Sequence, residues 1–184
     1  NIARYFKPIG HWQKLDGDTN LDIYDIIGSV IEANQYEVLC VAAKQFVSTE
    51  KKVFKIIGNT IYELSANGIP TDIKSIWFKS NKKYYVVGSG MFSKTNINST
   101  QPWKSIWEGI TEYYTNSIDG NNYNDIIVCG AYGEMIHFNG TEWKSFREEL
   151  QIFDGSYLEV KIKGNLVVAV GYNSSDAIVT IGTR

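Results

Sequence analysis

The chain has 184 residues, 43% of them hydrophobic, with 18 Lys+Arg against 20 Asp+Glu. That describes a folded protein with a sizeable core, and a net charge of −2 excludes the dense basic surface that a nucleic-acid or anionic-membrane partner needs. Two His exclude a multi-His metal site, and apolar runs such as Leu166 to Val170 are of strand length, far below the roughly 20 residues of a membrane span.

Ile (23), Val (13) and aromatics (25) far outnumber Leu (7), Ala (8) and Met (2). β-Branched and aromatic side chains suit a pleated, half-buried surface, so the expected class is all-β. The 16 Gly and 15 Asn suit many tight turns.

From the N-terminus, residues 1–17 hold two strand-like runs, Ala3 to Lys7 and His11 to Leu15. Residue 1 is Asn and no signal-peptide pattern follows, so the expected chain is a mature or trimmed product, or part of a longer polypeptide. Asp16, Asp18, Asp22 and Asp25 cluster next. Their spacing does not match an EF-hand, and Leu21, Ile23 and Tyr24 interrupt them, so a solvated loop is expected rather than a calcium site. Residues 22–64, 65–109 and 110–150 each divide into four strand-like runs, and residues 151–184 into three. The clearest set is Tyr113 to Ile118, Asp125 to Gly130, Glu134 to Phe138 and Glu142 to Phe146. Asn139-Gly140 between the last two is a strong hairpin signal, because a type I′ turn needs positive φ at both central residues.

Two ladders share one period. The second runs of each set end at Ala43, Gly88, Gly130 and Gly171, spaced by 45, 42 and 41. Trp12, Trp103 and Trp143 mark the fourth runs, the last two 40 apart, with Ile61-Tyr62-Glu63-Leu64 in the skipped place. Four antiparallel strands per repeat of this length describe one blade of a β-propeller. The expected architecture is about four four-stranded blades: the end of one in 1–17, three in 22–64, 65–109 and 110–150, and an incomplete last one in 151–184. The small closing residues are expected to let neighbouring blades approach, and the tryptophans to be packed in the outer wedge. Either His11 to Leu15 completes the last blade, or the chain is part of a larger ring; the period favours the larger ring.

Residues Asn124 to Trp143, with Gly130, His137-Phe138 and Asn139-Gly140-Thr141-Glu142-Trp143, resemble a recurrent blade of bacterial secreted propellers. That group is labelled glucosyl-hydrolase-like and compared with photosynthetic assembly-factor and sialidase-type propellers. The run Asp176 to Arg184 resembles its C-terminal end. The resemblance implies a β-propeller in an extracellular, periplasmic or cell-surface location. It departs from the sialidase pattern: no intact Asp-box is present, and the three Arg needed around a carboxylate would have to be Arg4, Arg147 and Arg184.

No catalytic constellation, metal site or cofactor motif is recognisable. His11 and His137 are expected to be packed and hydrogen-bonded, Cys40 and Cys129 to be buried thiols, and Gly88-Ser89-Gly90 lacks the Lys and helix of a phosphate loop. Propeller ligands meet the face formed by the strand 2–3 loops and the links between blades. There Tyr132, Tyr172, Asn173, Phe153 and Asp154 form the candidate contact surface, although turn filling accounts for the same residues. The leading reading is a non-catalytic scaffold presenting that face to a protein or glycan. The alternatives are a carbohydrate-active enzyme with two facing carboxylates, and a partial ring completed by missing blades or by a second copy, that is, an oligomer.

Overall fold

The computed structural model describes residues 2–6, 10–32 and 35–183. Residues 1, 7–9, 33–34 and 184, including Lys7 of an expected strand and Arg184 of the C-terminal run, lie outside the described residues. A hairpin of β1 (Ile2–Phe6) and β2 (His11–Leu15) comes first. Blade 1 is β3 (Asp22–Glu32), β4 (Gln35–Ala43), β5 (Lys51–Ile57) and β6 (Thr60–Leu64). Blade 2 is β7 (Ile73–Lys79), β8 (Lys83–Gly88), β9 (Gly90–Lys94) and β10 (Lys104–Ser105). Blade 3 is β11 (Thr115–Asn122), β12 (Asp125–Gly130), β13 (Met135–Phe138) and β14 (Trp143–Ser145), followed by the short helix α1 (Arg147–Leu150). Blade 4 has three strands, β15 (Gly155–Lys163), β16 (Leu166–Asn173) and β17 (Asp176–Thr183). Every strand pair is antiparallel and joins neighbours in sequence, so the fold is an all-β array of propeller blades.

The first strand of every blade slips register near its start, between Ile23 and Asp25, Ile73 and Ser75, Thr115 and Ser117, Tyr157 and Glu159, and β3 and β11 slip again near their ends, at Val30/Glu32 and Gly120/Asn122. The slip near the start leaves Tyr24, Lys74, Asn116 and Leu158 as bulge residues and bends the strand. The residue before it faces the small residue of the expected ladder: Ile73 faces Gly88 and Thr115 faces Gly130, each the last residue of its strand, and Tyr157 faces Gly171, after which β16 runs on to Asn173. In blade 1 that partner is Ala42 opposite Ile23, one place before the Ala43 of the expected ladder. The reason for the small residue also differs from expectation. A Cβ at Gly130 would lie 2.1 Å from the Tyr114 carbonyl oxygen, and one at Gly171 2.0 Å from that of Ser156. The crowding is against the start of the first strand of the same blade, not against the neighbouring blade.

Four hydrophobic cores lie between successive units. Alternation along the second strand divides each sheet between two of them. Leu39, Val41 and Ala43 pack towards blade 2 with Ile73, Ile76, Val86 and Phe92, while Cys40 and Ala42 pack towards the hairpin with Ile2 and Leu15. Tyr85 and Val87 face Ile118, Ile126 and Val128 of blade 3, whose Ile127 and Cys129 face Tyr157, Val160 and Ala169 of blade 4. Polar residues one place past the bulges stitch the inner strands together. The Ile76 N–H donates to Asp25 Oδ2 (3.0 Å), Ile118 N–H to Ser75 Oγ (3.4 Å) and Val160 N–H to Ser117 Oγ (3.3 Å).

Trp103 is 3% exposed and its indole N–H donates to the Ser65 carbonyl, and Trp143 stacks on Phe138 at 4.8 Å. Trp12 departs from the expected packing: it is 69% exposed and touches the Tyr5 ring at 5.3 Å. With Ile2, Tyr5 and Leu15 it lines an open groove whose other wall is Ile26, Tyr36, Val38 and Ile56 of blade 1. β2 pairs with β1, and β17 pairs with β16, so His11 to Leu15 does not complete the last blade within the described chain.

Candidate functional site

The loops joining second to third strands and the links between blades share one face. Asp72, 2% exposed, is its first node. The carboxylate accepts from Phe46 N–H (2.8 Å) in blade 1, Ser89 Oγ (2.5 Å) in blade 2 and Tyr114 OH (3.1 Å) in blade 3. Burial, helped by the Asp72 charge, pushes the Tyr114 hydroxyl well above its usual range, so it remains a donor. Phe46, 75% exposed, meets Tyr114 edge-on at 5.6 Å. Lys74 sits 3.6 Å above the Tyr24 ring; burial lowers its ammonium pKa while Asp72 and Asp22 oppose the shift.

Arg147 is the second node. It stands where blade 3 hands over to blade 4. Its Nε donates to the Tyr132 carbonyl (2.9 Å), and its guanidinium lies 4.6 Å from the Tyr113 ring centre and 4.5 Å from that of Phe153. Tyr113 and Tyr132 approach at 5.3 Å. A left-handed Tyr132 (φ 55°) followed by Gly133 forms the hairpin that holds this geometry. A Cβ at Gly133 would meet the Ile152 carbonyl at 2.4 Å, so the loop is pinned against the link to blade 4. Beside it opens a concavity of about 420 Å³ lined by Thr111, Tyr113, Glu134, Ser145 and Arg147. Glu134 is buried and saturated, accepting from Thr111 Oγ1, Ser145 Oγ and Met135 N–H.

Of the sequence-predicted contact residues, Tyr132 and Phe153 meet at Arg147. Tyr172 and Asn173 lie opposite Ser156 and Gly155 on blade 4, and Ser156 bridges to Ala131 beside Tyr132. Asp154 closes the next loop, accepting from Ser174 Oγ (2.7 Å). Arg147, Tyr113, Phe46 and Asp72 were not among the predicted contacts. The Tyr113-Tyr114 doublet before a first strand was the available signal; its alternation sends one ring to each node.

Of the other singled-out residues, His11 departs from the expected packing and is exposed on β2, whereas the rest have structural partners. His137 Nε2 lies 2.9 Å from Asp125 Oδ1, and Asn121 donates to Asp125 Oδ2 at 2.7 Å. Arg4 donates to the Gly58 carbonyl, far from Arg147 in the chain of blades. Asp25 joins blades 1 and 2. Cys40 and Cys129 are buried and unpaired as a disulfide; burial pushes the Cys40 thiol up to about 11 and that of Cys129 higher still. Among the described residues, no three His, Cys, Asp or Glu stand together as a metal site.

No protein-family model matches the chain, and no curated protein matches its sequence. Among solved structures it is similar to YCF48 from Cyanidioschyzon merolae, a β-propeller, with a TM-score of 0.60 and 12% identity over 88% of this chain. The chain spans 50% of that protein's length, and the likeness is one of fold.

Proposed function

We propose that this chain is a non-catalytic scaffold that binds a protein or glycan through its loop face, in an extracellular, periplasmic or cell-surface setting. The single observation that carries the reading is Arg147 held between Tyr113 and Phe153 with its Nε fixed on Tyr132. With Nη1 also donating to Glu148 Oε1 (2.8 Å), the guanidinium is locked in place and presents the Tyr113, Tyr132 and Phe153 rings as a rigid aromatic patch, the chemistry of interface anchors at low entropic cost. The two buried acids on this face, Asp72 and Glu134, already serve as acceptors for three donors each. That engagement favours scaffolding over acid–base work.

The test is a binding comparison of wild type with Arg147→Ala and Tyr132→Ala on glycan arrays and envelope-protein extracts, with captured species identified by mass spectrometry. Loss of about tenfold in affinity for the same ligand in both variants is the expected result. Binding indifferent to both substitutions, or specific turnover of a glycoside, rejects the reading.

A further inference from the structure

We propose that blade 2 carries a binding site for a phosphate group, as the free ion or a small monoester, at the end of the blade away from the loop face. The site is independent of the loop-face reading.

β8 runs from Lys83 to Gly88, and Ser89, just past its end, belongs to the Asp72 node. The other end of the blade opens on a concavity of about 210 Å³ whose lining includes Lys83, Ser93, Lys94, Thr95, Gln101 and Lys104. The opening follows from a short fourth strand. β10 has two residues, Lys104 and Ser105, which pair with Ser93 and Phe92. From Lys94 onward β9 has no fourth-strand partner among the described residues, and a loop leads round to β10. That loop is tied down from within. The Lys94 ammonium donates to the Ser99 carbonyl (2.6 Å), Ser99 N–H to the Asn96 carbonyl (3.2 Å) and Gln101 N–H to Ser99 Oγ (3.0 Å).

Register brings the donors together. Ser93 lies opposite Tyr85 on one side and Lys104 on the other, and Lys83 stands two residues before Tyr85. Lys83, Ser93 and Lys104 therefore leave the same side of the sheet. Residues directly opposite are about 5 Å apart at Cβ and diagonal ones about 7–8 Å, so one small ligand can meet all three side chains. Ser93 is 2% exposed, and its hydroxyl has no hydrogen-bond partner among the described residues. A buried hydroxyl left so is costly, and a ligand oxygen in the concavity supplies the missing acceptor.

Charge sets the class of ligand. Lys44, Lys52, Lys55, Lys144 and Lys161 each pair with a glutamate. Lys83 and Lys104 form no salt bridge among the described residues, and no acid lines the concavity. Burial, and after it the Lys104 charge, lower the ammonium pKa of Lys83. Two like charges are thus set side by side, an arrangement that a dianion stabilises. A phosphate carries about −1.5 to −2 charge near neutrality and three acceptor oxygens, enough for two ammoniums and the hydroxyl. A planar carboxylate is best matched by the fork of an arginine, and no arginine lines the site.

The test is titration of the purified chain with inorganic phosphate and with methyl phosphate at constant ionic strength, followed by thermal unfolding and by amide NMR shifts. Both probes are expected to bind saturably, raise the unfolding midpoint and move the signals of Ser93 and Lys104; binding of inorganic phosphate alone narrows the ligand to the free ion. Lys104 is exposed, so Lys104→Gln should leave the circular dichroism unchanged while weakening phosphate binding about tenfold. Ser93→Ala should weaken it severalfold, and Lys82→Gln, at an exposed lysine outside the concavity, should leave it unchanged. Failure of both probes to bind saturably, acetate binding as tightly as phosphate, or equal weakening by Lys82→Gln and Lys104→Gln overturns the proposal.

Discussion

Blades 2 and 3 and the two ends of the chain share one strand pattern and differ in what stands beside them. Val87 and Cys129 occupy one position of the repeat and are buried at 1% and 0% exposure, whereas Val170, in the same position of blade 4, is 41% exposed. Trp103 and Trp12 differ in the same way, at 3% and 69%. Each blade is a sheet with two apolar faces, and a face becomes core only when the next blade supplies the other half. The alternation records a neighbour as well as a strand.

The largest test of that comparison is a pair of truncations. Phe92→Ala, in the core between blades 1 and 2, is expected to cost about 3–5 kcal/mol, and Val179→Ala, 65% exposed in blade 4, no more than about 0.5 kcal/mol. Guanidinium unfolding measures both, and equal losses would break the distinction between sealed and open faces. Glycines sharpen it next. Gly130→Ala would place a methyl 2.1 Å from the Tyr114 carbonyl oxygen and is expected to cost about 1–3 kcal/mol; at Gly182 the nearest atom, Val167 Cβ, is 3.7 Å away and the change should be close to neutral.

The smallest effect is a pH dependence. Burial pushes the Tyr84 and Tyr85 hydroxyls from 10.0 up to about 12. Raised folded values mean that the folded state holds these protons more tightly. Their contribution is complete below about pH 10 and is lost as pH rises towards 12. Unfolding midpoints followed from pH 8 to 12 should therefore fall at the alkaline end, and Tyr85→Phe should flatten the slope. An unchanged slope in that variant would show that blade 2 does not bury the ring as described.

Much of the fold was legible because periodicity is local. The strand 2 runs, the place of the Asn139-Gly140 hairpin and the forty-residue spacing follow from side-chain alternation and turn residues, which need no knowledge of distant contacts. The turn itself is not the expected type I′, since only Gly140 takes a positive φ (94°) and Asn139 instead accepts Thr141 and Glu142 N–H on its side chain. The bulges at Tyr24, Lys74, Asn116 and Leu158 were not legible, since four unlike residues share only a backbone slip. Gly88, Gly130 and Gly171 recur because a Cβ there would meet the backbone at the start of the first strand of the same blade, a pattern visible in the sequence with a cause that was not. At the site, exposure of Tyr132 and Phe153 followed from turn position. The Arg147 that joins them lies fifteen residues from one and six from the other, and only the hand-over between blades brings the three together.

The sequence by itself determined that this chain is a series of four-stranded antiparallel units, because hydrophobic alternation and turn residues act over a few positions. Which faces are sealed, which tryptophan is seated and which loop residues meet were decided by tertiary structure. Those outcomes depend on the angle and order in which whole sheets stack, and no single blade contains that information.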